Sequence, residues 1–506
     1  MSKQTIPFKK SPIEHDPDIL SPSNLFDLLP KDHDCYIYKE ILQQLDTTEV
    51  ERKYSPEGQH AYHPKLLVSI LIYAYSHGVF SAREIERRCG QDLAFMYICE
   101  MHCPNFRVLS DFRKDNSEFF HDCFKQTVRL AIELKLASLG HISLDGSKFK
   151  ANSSKHKAMS YKRLKEKEAE LTAEIEELVE QAARCDREED AAYQERTGYE
   201  IPEDLKHKEK RLETVQAAKQ ALEEREEALN PGKTIEEKKQ ISFADKDARI
   251  MGKQGNFDYR YNAQISVDSD HQIIVGQHLS QHANDKQEVA PALENVRAAT
   301  DGRLPEKMSA DNGYLSGDNL EALEDSGVDC YIATSKGEKK DETPLDESAR
   351  KLLKADFEYD PKEDCFTCPG GQILVVVGET KNGEKTYQGR AETCAACPYR
   401  SRCCQSKKGE ARTINTDDKE PLRQRMNAKM EQQEAKDVYK KRKSIVEPVF
   451  GQIKNTGFRG FGVRGKEKAA GEFSLVCAAH NIKKISKAII KGFVRPESGK
   501  LVANPI

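Results

Sequence analysis

An α/β fold built on a partly parallel sheet is predicted by three features of the chain. Short strand patterns ending in acids, His141 to Asp145 and Lys307 to Asp311, alternate with helical patterns. Long helical stretches flank them on both sides, and 506 residues exceed what one hydrophobic core usually serves. Two segments of different composition, one dense in Lys and Glu and one in cysteine, interrupt the pattern and read as insertions.

Hydrophobic residues make up 37% of the chain and charged ones 32%, with a mean hydropathy of -0.74. No apolar run approaches the ~18 residues of a membrane span, and Met1 to Thr5 lacks a signal peptide's apolar segment. A cytoplasmic, nucleoid-associated protein is expected. The formal net charge of -4 conceals an asymmetry, because Lys436 to Ile506 holds 16 Lys and Arg against 5 acids. A local patch of that kind is sufficient to grip DNA phosphates; a solvated, Lys-rich helical tail is the plain alternative. Fourteen cysteines are many for a reducing compartment. Cys99, Cys330 and Cys477 sit singly in apolar contexts and read as small buried hydrophobes.

Residues 1–60 are polar and carry Pro7, Pro12, Pro17, Pro22 and Pro30, which predicts a mostly extended arm with short helices. Residues 61–138 are helical in pattern. Pro64 suits the first position of a helix with Leu66, Leu67, Ile70, Leu71 and Tyr75, and Gly78 suits its end. Ser81 to Glu84 has the form of a capping box, with Ile85 and Cys89 inward. A third helix covers Leu93 to Ile98, and Ser110 opens a fourth. Short helices with tight turns and Arg87, Arg88, Arg107 and Arg113 predict a helix-turn-helix-like DNA-binding module, with Arg113 among its contacts. A helical bundle with surface arginines fits equally.

His141, Ser143 and Asp145 alternate with Ile142 and Leu144, a strand ending in an acid. Alone, Asp145-Gly146 would mark a turn. Residues 155–249 carry one apolar stripe of Leu164, Leu171, Ile175 and Leu178 and a second of Leu205, Leu212, Val215, Leu222 and Leu229. Gly198 and Pro202 can turn the chain between them, which predicts an antiparallel coiled-coil hairpin for dimer or DNA contact, or a solvated spacer. Asn256 to Leu279 reads as two strands around an Asp268-Ser269-Asp270 turn. Asn284-Asp285 then leads to a helix with Val289, Leu293 and Val296; Leu320 and Leu323 mark the next helix, and Cys330 to Thr334 a fifth strand.

Residues 341–420 form the second, β-rich insertion. Strand-like Gly371 to Val377 and Lys385 to Gln388 lie between Cys365-x-x-Cys368 and Cys394-x-x-Cys397, with Cys403 and Cys404 following. Two such pairs can complete a tetrahedral structural zinc site. The 25-residue gap exceeds the usual about 15 to 20, and six thiols exceed four ligand positions, so the ligand set is open. From Leu422 a long helical pattern turns Met426, Met430, Val438, Ile445, Val449, Phe450 and Ile453 inward. A glycine-rich basic loop, Gly457 to Gly465, precedes a last helix through Leu475, His480, Asn481 and Ile485. The core is thus expected over 139–154, 250–340 and 421–492, with a tail at 493–506.

Taken singly, Asp145 and Asp311 read as turns and Glu447 as a surface position. Together, two acids at strand ends and one on a late helix are what a ribonuclease-H-like sheet would gather. Such a cluster repels itself without cations, and its oxygens suit Mg²⁺ or Mn²⁺. Two ions about 3.5 to 4 Å apart can activate a water or 3′ hydroxyl and stabilise the leaving oxygen of an in-line displacement.

At this point the chain resembles the DDE transposases of bacterial insertion sequences, in the group with a Tyr-Arg-Glu-Lys signature around the last acid. The resemblance covers the helical module at 63–114, Leu144-Asp145-Gly146, Asn284-Asp285, Ala310 to Tyr314, and Tyr439 through Lys454. It implies a ribonuclease-H-like core that cuts at transposon ends and joins 3′ ends to target DNA, working as a homodimer or higher oligomer. Asp145, Asp311 and Glu447 match the family's metal-binding triad for two Mg²⁺ or Mn²⁺ ions. Tyr439, Arg442, Lys443, Lys454, Arg459 and Arg464 are the expected DNA contacts around it. Lys454 keeps the family's six-residue gap after Glu447, whereas Arg442 stands five residues before Glu447, one more than the family pattern, and Lys443 takes that place. Pro448 disfavours α geometry at Glu447, so a new helix start or sharp kink is predicted there. The chain has no Trp, so a DNA-hairpin route would need Phe or Tyr to receive a flipped base. Two rival functions share these features: a zinc-containing, sequence-specific DNA-binding regulator, and a metal-dependent nuclease that cuts without joining.

Overall fold

A computed structural model of the protein describes residues 25–55, 57–153, 158–192, 203–253, 256–334, 350–380, 383–404, 406 and 410–504, with the backbone alone at 181–192, 203–205, 253 and 256. After a turn of 3-10 helix at Leu25–Leu28 come α1 (Asp34–Gln43) and α2 (Thr48–Glu51). Cys35, Tyr38, Ile41 and Leu42 recur at helical spacing and are buried in the main core. From Leu25 onward the short helices expected in this segment are packed into the main core; Pro7, Pro12, Pro17 and Pro22 fall outside the described residues.

Pro64 opens α3 (Pro64–Ser76), where His63 Nδ1 accepts the Lys65 N–H at 3.1 Å. Next come α4 (Ala82–Gln91), α5 (Leu93–Ile98), α6 (Phe106–Asp115) and α7 (Ser117–Glu133). The capping box expected at Ser81 does not form: its hydroxyl caps nothing, and Glu84 pairs with Arg87 and Arg88. The helix expected to open at Ser110 opens at Phe106, capped by the Asn105 side chain.

The sheet begins with β1 (His141–Lys150). Two short strands, β2 (Ala158–Ser160) and β3 (Gln240–Ser242), bracket the long helices α8 (Tyr161–Ala192) and α9 (Glu203–Leu229). Lys219 reaches Glu168 at 2.7 Å and Lys208 reaches Glu174 at 2.9 Å, so the two helices run antiparallel. Leu164, Leu171, Val215, Ala218 and Leu222 form a small core of their own with Ile241. Leu178 is half-buried and Leu229 exposed, so the packed stripe is shorter than the sequence pattern. Gly198 and Pro202 lie outside the described residues.

The chain returns through β4 (Arg249–Lys253), β5 (Asn256–Asp268), β6 (Ile274–Ser280), α10 (Val289–Ala299), β7 (Lys307–Ala310), α11 (Gly317–Ser326) and β8 (Asp329–Ile332). β5 pairs antiparallel with β1 on one side and with β4 and β6 on the other, while β7 and β8 continue parallel to β1. β1 does not turn at Asp145. Asp145 and Gly146 stay in register with Ile265 and Gln264 of β5, whose longer ladder carries the strand on to Lys150.

A second, antiparallel sheet, ordered β13-β12-β11-β10-β9, is built from β9 (Glu358–Asp360), β10 (Cys365–Thr367), β11 (Ile373–Glu379), β12 (Lys385–Gln388) and, after α12 (Ala391–Ala395) and α13 (Arg400–Cys403), β13 (Thr413–Thr416). Phe357, Phe366, Leu374, Tyr387 and Ile414 fill its separate core. The helical pattern from Leu422 is broken into α14 (Glu420–Glu431), α15 (Gln433–Lys440), α16 (Arg442–Ile445) and α17 (Glu447–Asn455). Pro448 lies in the first turn of α17, where a missing N–H has no helical partner to lose. The chain closes with α18 (Lys466–Ile490) and a hairpin, β14 (Val494–Glu497) with β15 (Lys500–Ala503), inside the expected tail.

Glu472 of α18, 1% exposed, ties the helices together. The Tyr75 hydroxyl donates to Oε1 at 2.6 Å and Arg113 Nη1 lies 3.3 Å from the same oxygen, while Oε2 accepts the N–H groups of Gly462 and Val463 at 2.7 and 3.3 Å. Arg113 also donates to the Phe80 carbonyl at 3.0 Å. This arginine, expected at a DNA surface, is buried: it is the counter-ion of Glu472. Removing one partner of a buried pair strands the other charge, at a cost of about 3–5 kcal/mol. Arg113→Ala is expected to lose stability on that scale in denaturant unfolding; a loss below ~1 kcal/mol would show that the pair holds nothing.

Candidate active site

The ladder between β1 and β7 pairs Leu144 with Ala310 as its last step, so the next residues, Asp145 within β1 and Asp311 just past the end of β7, stand side by side. Asp145 Oδ1 accepts its neighbour's N–H, from Gly146, at 2.9 Å. Asp311 caps the turn Asn312–Tyr314, its Oδ1 accepting Gly313 N–H at 2.8 Å. Glu447 arrives as the first residue of α17.

Arg442 stands between all three. Its Nη2 lies 3.1 Å from Asp145 Oδ2 and 4.0 Å from Asp311 Oδ2, and its Nη1 lies 3.5 Å from Glu447 Oε1. On one continuous helix, residues five apart point about 140° from each other. The break at Val446, between α16 and α17, turns Arg442 and Glu447 onto one point and thereby absorbs the five-residue spacing. Arg442 is itself buried, and among the described residues its Nε finds no hydrogen-bond partner. Burial pushes the Asp145 carboxyl up to about 6; Asp311 and Asp285 add to the rise, and the Arg442 guanidinium and the Gly146 N–H oppose it.

A fourth acid belongs to this cluster. Asp285 Oδ1 accepts Asn262 Nδ2 at 2.8 Å and Gln264 Nε2 at 2.7 Å, and the Tyr314 hydroxyl donates in turn to Gln264 Oε1. Two glycines make room for it. A Cβ on Gly146 would meet Gln264 Nε2 and stand 3.0 Å from Asp285 Oδ1, and one on Gly313 would stand 2.9 Å from Asp311 Oδ1 and 3.4 Å from Asp285 Oδ2. The Asn262 Oδ1, also buried beside Gly146, has no partner among the described residues. Sequence reading assigned Asp285 no role. Its signal, an acid in a polar loop ahead of a helix, matches many surface loops.

Lys454 Nζ donates to Ser147 Oγ at 2.7 Å, two residues beyond Asp145 and so on the same face of β1. Tyr439 is half-buried, and burial raises its phenol, with Asp311, Asp145 and Glu447 adding to the rise. Lys443, Arg459 and Arg464 are exposed, and among the described residues none pairs with the three acids.

The cysteines divide unevenly. Cys365 is buried on β10, with Asp360, Glu363 and Asp364 as its charged surroundings. Cys368 lies in a tight turn where its Sγ accepts Gln372 N–H at 3.3 Å, and a Cβ on Gly370 would touch the sulfurs of Cys368 and Cys397 at 3.6 and 3.4 Å. Burial pushes Cys403 up to about 11, with Cys394 and Cys368 close enough to contribute. Cys404 Sγ donates to the Glu410 carbonyl at 3.0 Å.

Among the described residues, no three His, Cys, Asp or Glu side chains stand close enough together to hold a metal ion as they are. For the acids the reason is visible, since a guanidinium occupies the point they share. Their donor set, three carboxylates and no nitrogen or sulfur, fits a hard divalent cation at that point.

Residues 23–115 match the transposase domain family DUF772, and residues 367–486 match the transposase DDE domain family. The second match contains Arg442, Glu447 and Lys454; Asp145 and Asp311 precede it. No curated protein matches the chain.

Replacing Arg442 by Gln leaves the acids facing one another. Three partly exposed pairs at under ~1 kcal/mol each make the expected loss about 1–2 kcal/mol in metal-free buffer. Millimolar Mn²⁺ is expected to restore the unfolding temperature of this variant more than that of wild type; equal shifts in both would rule out Arg442 as the cation of the cluster.

Proposed function

We propose that the chain is a DDE transposase of an insertion sequence, as its matches to two transposase domain families support, and that it cuts DNA at the ends of its element and joins the 3′ ends to target DNA, with Asp145, Asp311 and Glu447 as the metal-holding triad. One observation carries the assignment: three carboxylates from three distant parts of the chain meet at a single positive charge. The mixed sheet supports a ribonuclease-H-like core, since four antiparallel strands are continued by two parallel ones and Asp145 and Asp311 stand side by side at the β1–β7 junction.

Divalent ions of the kind this family uses would activate the attacking oxygen and stabilise the leaving one. The chain's own residues position the DNA. Arg442 has a planar fork that matches a phosphate's oxygens, so on DNA binding it can leave the carboxylates for the scissile phosphate without losing a charged partner. Lys454 presents a second cation on the Asp145 face of β1. Asp285, held by Asn262 and Gln264, positions the Gly146 and Gly313 backbones on either side of it and so keeps Asp145 and Asp311 at their separation. The helical module at 23–115 is the part proposed to recognise element ends, and the α8–α9 pair a contact between subunits or to DNA. A structural zinc is proposed on Cys368, Cys394, Cys397 and Cys403, without Cys365.

With Mg²⁺ or Mn²⁺ and duplex DNA bearing the element's terminal inverted repeats, Asp145→Ala, Asp311→Ala and Glu447→Ala should each reduce cleavage and joining at least ~10³-fold, about 4 kcal/mol of barrier. An acid whose variant stays within tenfold of wild type does not belong to the triad. Cleaved ends without joined product in wild type would favour the nuclease reading. For zinc, Cys368→Ser with Cys397→Ser should abolish bound metal on elemental analysis while Cys365→Ser retains it; zinc that survives the double substitution contradicts the site.

A further inference from the structure

Behind the carboxylates, where α17 meets α3 and α18, lies a cavity of about 560 Å³. Ser76 and His77 line it from the end of α3, Gln452, Asn455 and Thr456 from the end of α17, and Lys483, Lys484 and Lys487 from α18. No Asp or Glu lines it. The lysines have neutral partners: Lys483 Nζ donates to the Ser76 carbonyl at 3.0 Å and Lys484 Nζ to Gln272 Oε1 at 2.7 Å, while Lys487 is exposed. Asp34, the carboxylate whose charge reaches Lys483, is engaged by His77 at 2.9 Å, and Glu472, beyond Tyr75, is engaged by Arg113. Burial, with Lys487 and Lys491 adding to it, holds Lys484 down to about 8. His480, buried and held down to about 3 chiefly by desolvation, is neutral and donates to the Gln272 carbonyl. Three ammonium groups on a wall with no carboxylate in it, only Lys483 feeling Asp34 from outside, are a standing electrostatic cost that an anion would relieve.

The spacing says which anion. Glu447 and Asn455 are the two ends of α17, eight residues and so roughly 12 Å apart, which is about the width of the major groove of B-DNA. Lys454 turns toward Ser147 and the acids, whereas Gln452 and Asn455, three apart on one face, turn toward the cavity. α17 therefore carries Glu447 at one end and meets the α18 lysines at the other, at groove spacing.

We propose that this cavity is a DNA-backbone site: Lys483, Lys484 and Lys487 hold a phosphate of the element end across one groove from the scissile phosphate at Glu447. The assignment rests on the transposase reading. It makes the junction of the N-terminal helices with α18 part of the DNA surface and sets the register in which the duplex meets the carboxylates.

The test measures binding of the full-length protein to end-bearing duplex DNA across a range of salt concentrations. Each phosphate contact contributes about 0.9 to the slope of log affinity against log salt. Lys483→Gln with Lys484→Gln and Lys487→Gln is expected to lower that slope by about 2 to 3. Lys487→Glu, at an exposed position that folding tolerates, should weaken binding and remove ethylation interference at a phosphate one groove width from the cut. An unchanged slope together with unchanged interference overturns the proposal. So does protection of the lysines by inorganic phosphate without any change in DNA slope, which would mark a small-anion pocket. A wild-type protein that neither binds nor cuts the duplex would instead refute the transposase reading itself, and Glu447→Gln, which should bind with full slope but not cut, separates the two failures.

Discussion

Carboxylates drawn to one point repel each other unless a cation stands among them, and in this chain Arg442 is that cation. The elements around it follow from this requirement. Parallel pairing of β1 with β7 sets Asp145 and Asp311 at neighbouring exits. The interruption at Val446 turns Glu447 back toward the residue that neutralises it. A guanidinium suits the role because it contacts several acids at once and stays charged even when buried. The three acids are therefore held together by a charge of the chain's own.

The frame that holds those exits steady is polar as well as apolar. α18 is buried along most of its length against α3, α7 and β6, so the first and last quarters of the chain share one core. Within it, Glu472 joins α3, α6 and the loop Gly457 to Gly465 through hydrogen bonds to both carboxylate oxygens. Asn481 does the same for the sheet, its side chain exchanging two bonds of 2.9 Å with the backbone of Ile274 on β6. Gln272, at the turn between β5 and β6, reaches Ser444, Gln452 and Lys484. Buried polar groups of this kind specify one arrangement, because a shifted alternative would leave them unpaired.

The interrupting segments have a different relation to the site. The α8–α9 pair and the β9–β13 sheet each close over a small core separate from the main one. Neither contributes a side chain to the Arg442 cluster. The exposed faces of Ile373, Val375 and Val377 on β11 belong to the second sheet.

Periodicity and chemistry were legible in the residues alone. Strand alternation placed Asp145 and Asp311, the helical stripes of α3 and α17 appeared as read, and Pro448 announced the new helix at Glu447. These features are local, set by which neighbours share a face within a few residues. Tertiary structure decided what depends on distant partners. Arg113 and Arg442 are both basic residues in helical patterns, yet one was buried against Glu472 and the other drawn among three acids. Asp285 became part of the cluster because Gly146 and Gly313 left room for it. The long ladder with β5 carried β1 past its expected end at Asp145, and packing drew the short helices after Leu25 into the main core. A charge's role is set by which opposite charge folding brings to it, and no local pattern encodes that distance.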